Sequence, residues 1–140
     1  MLSEQELNQV TEAIRNAESM TSGEIRVCVA RECKGSPLDH ALKTFKKTNM
    51  EKTALRNAVL IYVAPSDKKA AIIGDKGIHE AANDHFWDDT LNEMLSYFSR
   101  AQIVDGICQG VGKVGELIKA RYPIMENDVN ELSDDIILED

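Results

Sequence analysis

The chain is poor in basic residues, in cysteine and in aromatic side chains. Lysine and arginine number 16 against 24 aspartates and glutamates, a formal net charge of -8. Neutralising a phosphate backbone requires surplus cations, so no nucleic acid is expected as a partner. The three cysteines, Cys28, Cys33 and Cys108, are odd in number and lack the spacing of a zinc site. No stretch reaches the roughly 18 apolar residues that span a bilayer, so no integral membrane segment is expected. The opening Met1-Leu2-Ser3-Glu4-Gln5-Glu6-Leu7 lacks the basic and then apolar regions of a secretory signal. These absences together predict a cytoplasmic protein. Also missing are a Ser-His-Asp order, a nucleophile elbow and a P-loop.

What is present suffices for one domain. Of 140 residues, 43% are hydrophobic, enough for a single packed core. Residues 125–140 hold seven acidic residues and no lysine or arginine, whereas residues 1–124 are nearly balanced, 17 acidic against 16 basic. This divides the chain into a domain over 1–124 and an acidic tail over 125–140. Self-repulsion predicts that the tail is disordered. Ile136, Ile137 and Leu138 are its one apolar run, able to dock transiently on a partner.

Ser3 and Glu6 form a capping-box pair, and Leu7, Val10, Ile14 and Ala17 recur at helical spacing, predicting a helix over residues 4–19. Residues 24–31 alternate as a strand. Ser36 and Pro37 open a second helix, with Leu38, Ala41, Leu42 and Phe45 inward and Lys43, Lys46 and Lys47 on its other side. Such a basic run marks a solvated face, an acidic partner or a membrane surface. Residues 58–64 are continuously apolar, as in a central strand covered on both faces. Pro65-Ser66-Asp67-Lys68 turns the chain into an antiparallel strand over 69–74. A helical stretch over 78–99, broken near Asn83, and a helix over 104–121 complete the order. The fold class predicted is α/β, a mixed sheet with helices on both faces.

Chemistry-bearing residues concentrate in one segment. Gly74-Asp75-Lys76-Gly77-Ile78-His79 leads to Asn83-Asp84-His85-Phe86-Trp87-Asp88-Asp89. Asp75 falls just past a strand, where α/β proteins place ligands. Gly74 and Gly77 would let a ligand approach the backbone closely. Asp75, Asp84 and Asp88 could supply hard oxygen ligands suited to calcium or magnesium. Alternatively, Asp84 is a cap and Asp88 and Asp89 complement a helix dipole. His79 and His85 are the nearest candidates for proton transfer. Trp87 shares a stripe with Leu91, Met94 and Phe98 and is expected to be core or pocket wall.

Several of these segments carry a family resemblance. Thr21-Ser22-Gly23-Glu24-Ile25-Arg26-Val27 resembles the opening strand motif of the TPM domain, a family of thylakoid-lumen and photosystem-repair proteins with many bacterial members. Asn57-Ala58-Val59-Leu60-Ile61-Tyr62-Val63-Ala64-Pro65 is similar to its central strand. Lys69-Ala70-Ala71-Ile72-Ile73-Gly74-Asp75-Lys76-Gly77-Ile78 is similar to the strand and glycine loop that follow, and Phe86-Trp87-Asp88 resembles the cytosolic bacterial branch. The resemblance implies a three-layer α/β/α sandwich and a divalent cation at the acidic loop, with Gly74, Asp75 and Gly77 on the glycine loop and Asp84 on the acidic position after it. It also implies a metal-assisted acid phosphatase acting on phosphate monoesters. Because the residues place no base or nucleophile securely, the reading favoured here is an interaction or regulatory module with a protein partner, and the phosphatase is the alternative. Many family members carry an Arg-x-Gly-Asp-Tyr-like segment after the long helix. Here that stretch reads Phe98-Ser99-Arg100-Ala101-Gln102-Ile103-Val104-Asp105-Gly106, without the Gly-Asp pair.

Overall fold

The structure is a computed structural model that describes residues 2–83, 85–124 and 134–139. Helix α1 spans Glu4–Glu18 and begins with the expected capping box, Ser3 and Glu6 each accepting from the other's backbone N–H. Strand β1 is Glu24–Ala30, and α2 is Pro37–Lys47, capped by the Ser36 side chain. Strands β2, Ala58–Ala64, and β3, Lys69–Gly74, form the predicted antiparallel hairpin. The connecting turn works because Pro65 starts a 3₁₀ turn and Lys68 takes a left-handed conformation at φ 53°. The predicted helical stretch over 78–99 resolves into α3, Lys76–His79, and α4, Phe86–Ser99. Helix α5 is Ile103–Arg121.

β1 and β2 run parallel, and the sheet order is β3-β2-β1-β4. The last strand, β4, is Ile137–Glu139, parallel to β1 on its outer edge. The acidic tail thus supplies three residues of sheet where disorder was expected. Its segment 125–133 lies outside the described residues.

Alternation along the strands sorts the core into two layers. Ile25, Val27, Val29, Val59, Ile61 and Val63 face Val10 and Ile14 of α1, Met94 and Phe98 of α4, and the Ile107, Val111, Val114 and Ile118 stripe of α5. Cys28, Ala58, Leu60, Tyr62 and Ala71 face Ala41 and Phe45 of α2. The α/β/α sandwich follows, with α1, α4, α5 and the short α3 on one side and α2 on the other. Helix α2 departs from its expected face. Leu38 and Leu42 are exposed, while Thr44 is buried and hydrogen-bonds to Glu139 of β4 at 2.6 Å. Two glycines of α5 let neighbouring helices approach closely. Gly110 admits Met94 of α4 and Gly115 admits Ala17 of α1, bringing these helices together.

Candidate functional site at the amino end of the parallel strands

Because β3 is antiparallel, its last residue pairs near the start of β2, Gly74 opposite Val59. Asp75 therefore sits at the amino ends of β1 and β2, opposite the carboxyl ends where α/β sheets commonly hold ligands. Three segments meet there: residues 19–23 before β1, residues 51–57 before β2, and residues 75–83 after β3.

Asp75 is 6% exposed. Its N–H donates to the Ala58 carbonyl at 2.9 Å, and its side chain caps α3 by accepting the Lys76 N–H at 2.8 Å. The Arg56 guanidinium closes on it in a two-pronged ion pair, Nε to Oδ2 at 2.6 Å and Nη2 to Oδ1 at 2.8 Å. Planar guanidinium and carboxylate match in shape, which makes such pairs short and directional. The pairing and the neighbouring Asp75 charge raise the Arg56 pKa further. Arg56 holds a left-handed backbone at φ 52°, uncommon for a residue with a side chain, and this turn delivers its carbonyl to the Gly77 N–H at 2.9 Å.

The two glycines accommodate the chain itself. A Cβ on Gly77 would lie 2.5 Å from the Leu55 carbonyl oxygen and 2.7 Å from that of Arg56. A Cβ on Gly74 would lie 2.8 Å from the Trp87 ring. Trp87 is half-buried as a wall over the loop, and the exposed His79 ring stacks on it, centroids 6.1 Å apart and planes 4° from parallel. Tyr122, just past α5, ties the loops together. Its hydroxyl donates to the Gly77 carbonyl at 2.9 Å, and its own carbonyl accepts from the Ser22 N–H at 3.0 Å and from the Thr21 hydroxyl.

The candidate ligands are therefore not gathered around one point by the described residues. Asp75 is engaged by Arg56 and Lys76. Asp88 lies exposed in the first turn of α4, and Asp84 lies outside the described residues. Among the described residues no three His, Cys, Asp or Glu side chains are arranged to hold a metal ion. The described part of the acidic loop does not fit a divalent cation, since a cation at Asp75 would have to displace a guanidinium.

A second acidic neighbourhood, not found by motif, lies at the same end. Glu18, in the last turn of α1, accepts the Ile25 N–H at 2.8 Å. Burial foremost, then a hydrogen bond with the Asp134 carboxyl and the charges of Asp134 and Glu24, hold the Glu18 carboxyl up at about 10. Glu24 itself is 2% exposed at the start of β1. The sequence offered one signal, the acid in Thr21-Ser22-Gly23-Glu24. The return of Asp134 to Glu18 bridges more than a hundred residues and has no local signature.

Among the described residues, no helix is long and apolar enough to cross a membrane. The sequence model of the TPM domain matches residues 1–117. A comparison with curated protein sequences gives no match. Among solved structures, the BA42 protein from the psychrophilic bacterium Bizionia argentinensis is 37% identical. The alignment covers 99% of this chain and 95% of that one, with a TM-score of 0.89. The N-terminal domain of the cg2496 protein from Corynebacterium glutamicum is 15% identical over 84% of this chain and 74% of that one, TM-score 0.65. The N-terminal domain of a protein from P. gingivalis is 17% identical over 85% and 77%, TM-score 0.63. These last two share the fold alone. With the domain matched from residue 1 to 117 and a 37% identical relative aligned along nearly its whole length, the chain belongs to the TPM domain family.

Proposed function

We propose that this chain is a cytoplasmic interaction or regulatory module that holds a divalent cation of the calcium or magnesium class. The cation is what the resemblance to the TPM domain family implies; the acidic neighbourhood that the described residues offer it is the Glu18 corner, where Asp134 and Glu24 lie near a partly buried carboxyl without forming a three-ligand group. Mutual repulsion there favours either a shared proton or a hard cation. Glu18 and Asp134 would hold the ion, with water or backbone oxygens completing the shell as hard cations accept. The cytoplasmic reading is supported by three free thiols, two of them buried.

The alternative is a metal-assisted phosphatase of phosphate monoesters. Catalysis at the Asp75 loop would need a carboxylate able to take a proton from water. Both Asp75 oxygens already accept hydrogen bonds, which favours the module.

Calorimetric titration of the full chain with calcium and with magnesium tests the cation. Binding should be lost in Glu18→Gln and kept in Asp75→Asn. The reverse pattern would move the ion to Asp75, Asp84 and Asp88, and no binding by the folded chain would remove it. Hydrolysis of a chromogenic phosphate ester that a chelator abolishes would establish the phosphatase instead.

A further inference from the structure

Among the described residues, three residues of the tail, Ile137–Glu139, pair with the outer edge of β1. Strands usually run five to six residues, so β4 is a short occupant. Cys28 pairs with Ile137, Val29 with Leu138 and Ala30 with Glu139. Beyond the strand, the Arg31 N–H donates to the Glu139 carbonyl at 2.8 Å. Ile137 packs into the α2 layer of the core. The Glu139 carboxylate accepts from the Thr44 hydroxyl, within a cavity of about 420 Å³ lined by His40, Lys43, Thr44, Lys47, Leu138 and Glu139. The basic run on α2 thus meets an acid at the end of an extended segment.

The fit leaves one donor unmet. Arg26, on β1 beneath the tail, donates from Nη2 to the Asp135 carbonyl at 3.1 Å. Its Nε is buried with no hydrogen-bond partner among the described residues. Leu138 also remains 57% exposed.

We propose that the β1 edge and the basic face of α2 form a strand-docking groove for an extended peptide of aliphatic residues followed by a carboxylate. The chain's own residues 137–139 occupy it in cis and must leave before a partner enters. Recognition is by strand addition: backbone hydrogen bonds to β1 supply attachment, and alternate side chains supply selectivity. Ile137 marks the apolar position and Glu139 the acidic one, two residues apart on one face. Lys43 and Lys47 bias the groove toward acidic peptides. The proposal deepens the interaction reading above. Its test contains no cation, so its failure leaves the cation titration intact.

The probe is a dye-labelled synthetic peptide with the sequence of residues 134–139, titrated into the full chain by fluorescence anisotropy. The tail is unseated in place by combining Ile137→Gly with Glu139→Ser. The unseated chain should bind the peptide at least tenfold more tightly than wild type. Adding Lys43→Glu and Lys47→Glu should remove that binding, and salt should weaken it. Equal affinity for wild-type and unseated chains, or no binding by an unseated chain that melts cooperatively, would overturn the proposal. A wild-type dimer lost on Glu139→Ser would also overturn it, replacing cis docking by exchange between copies. Hydrogen exchange on unaltered wild type needs no variant: the Arg31 amide should exchange at least tenfold faster than the Ile61 amide of β2. Equal protection would show that the tail opens only with the whole fold, and would end the proposal.

Discussion

Asp75 and Glu18 are acids at the same end of the same sheet, and their surroundings are opposite. Asp75 meets a guanidinium, a helix N-terminus and two glycines that let the backbone close around it. Glu18 meets one backbone N–H and then further acid, Asp134 and Glu24. The first carboxylate is neutralised by its own chain, whereas the second calls for a proton or a cation from outside. A glycine-bracketed acid past a strand draws attention in a sequence. In this fold the plainer glutamate at the end of a helix is the one with unmet chemistry.

The comparison breaks most severely if the Asp75 corner is forced open. Gly77→Ala would drive a methyl group against the Leu55 and Arg56 carbonyl oxygens. Overpacking of this kind costs about 3 kcal/mol where backbone must shift. Urea unfolding measures it, and a loss under about 1 kcal/mol would mean that the loop is loose rather than clasped. The wall comes next. Trp87→Ala strips the ring from Gly74 and His79 and should cost about 2 kcal/mol, below the range for a fully buried tryptophan because Trp87 is half-buried. An unchanged unfolding free energy would show that the ring rests on the loop without holding it.

A smaller effect separates cap from charge at Asp75. Asparagine keeps the cap acceptor and gives up the ion pair, while alanine gives up both. The difference between Asp75→Ala and Asp75→Asn should be about 1 kcal/mol, the usual worth of an N-cap. If the two variants unfold alike, the ion pair with Arg56 carries the corner and the cap contributes nothing.

The domain's fold was legible where local rules and burial agree. The capping box at Ser3, the apolar run at 58–64 and the Pro65 turn each formed as the residues required. The missed features depend on contacts distant in sequence. Leu42 sits on a plausible apolar stripe, yet Thr44 is the residue turned inward, because Glu139 arrives from the far end of the chain to meet its hydroxyl. No periodicity in α2 carries that information. β4 was hidden because three apolar residues between acids look like tail. Arg56 precedes a strand as many arginines do, and only its left-handed turn aims it at Asp75. Asp75 was expected at the ligand-holding end of the sheet, and the structure puts it at the amino ends of β1 and β2 instead, because the antiparallel return of β3 ends beside the start of β2.

The finest test concerns the proton at Glu18. Its folded pKa is raised to about 10 from an ordinary value of 4.5, with burial the first cause and Asp134 the next. A raised folded pKa means that the folded chain keeps a proton which the unfolded chain releases. The stabilisation is therefore complete below about 4.5 and falls away as pH climbs toward about 10. Glu18→Gln mimics the protonated form at every pH. In chelator, the variant should melt a few degrees above wild type at pH 8 and level with it at pH 4, giving a flatter profile. Calcium should raise the wild-type melting temperature at pH 8, through preferential binding to the folded state, and leave the variant unmoved. Parallel pH profiles for the two proteins in chelator would mean that Glu18 already carries its charge in the folded chain. The contrast with Asp75 would then be one of partner alone, and not of protonation.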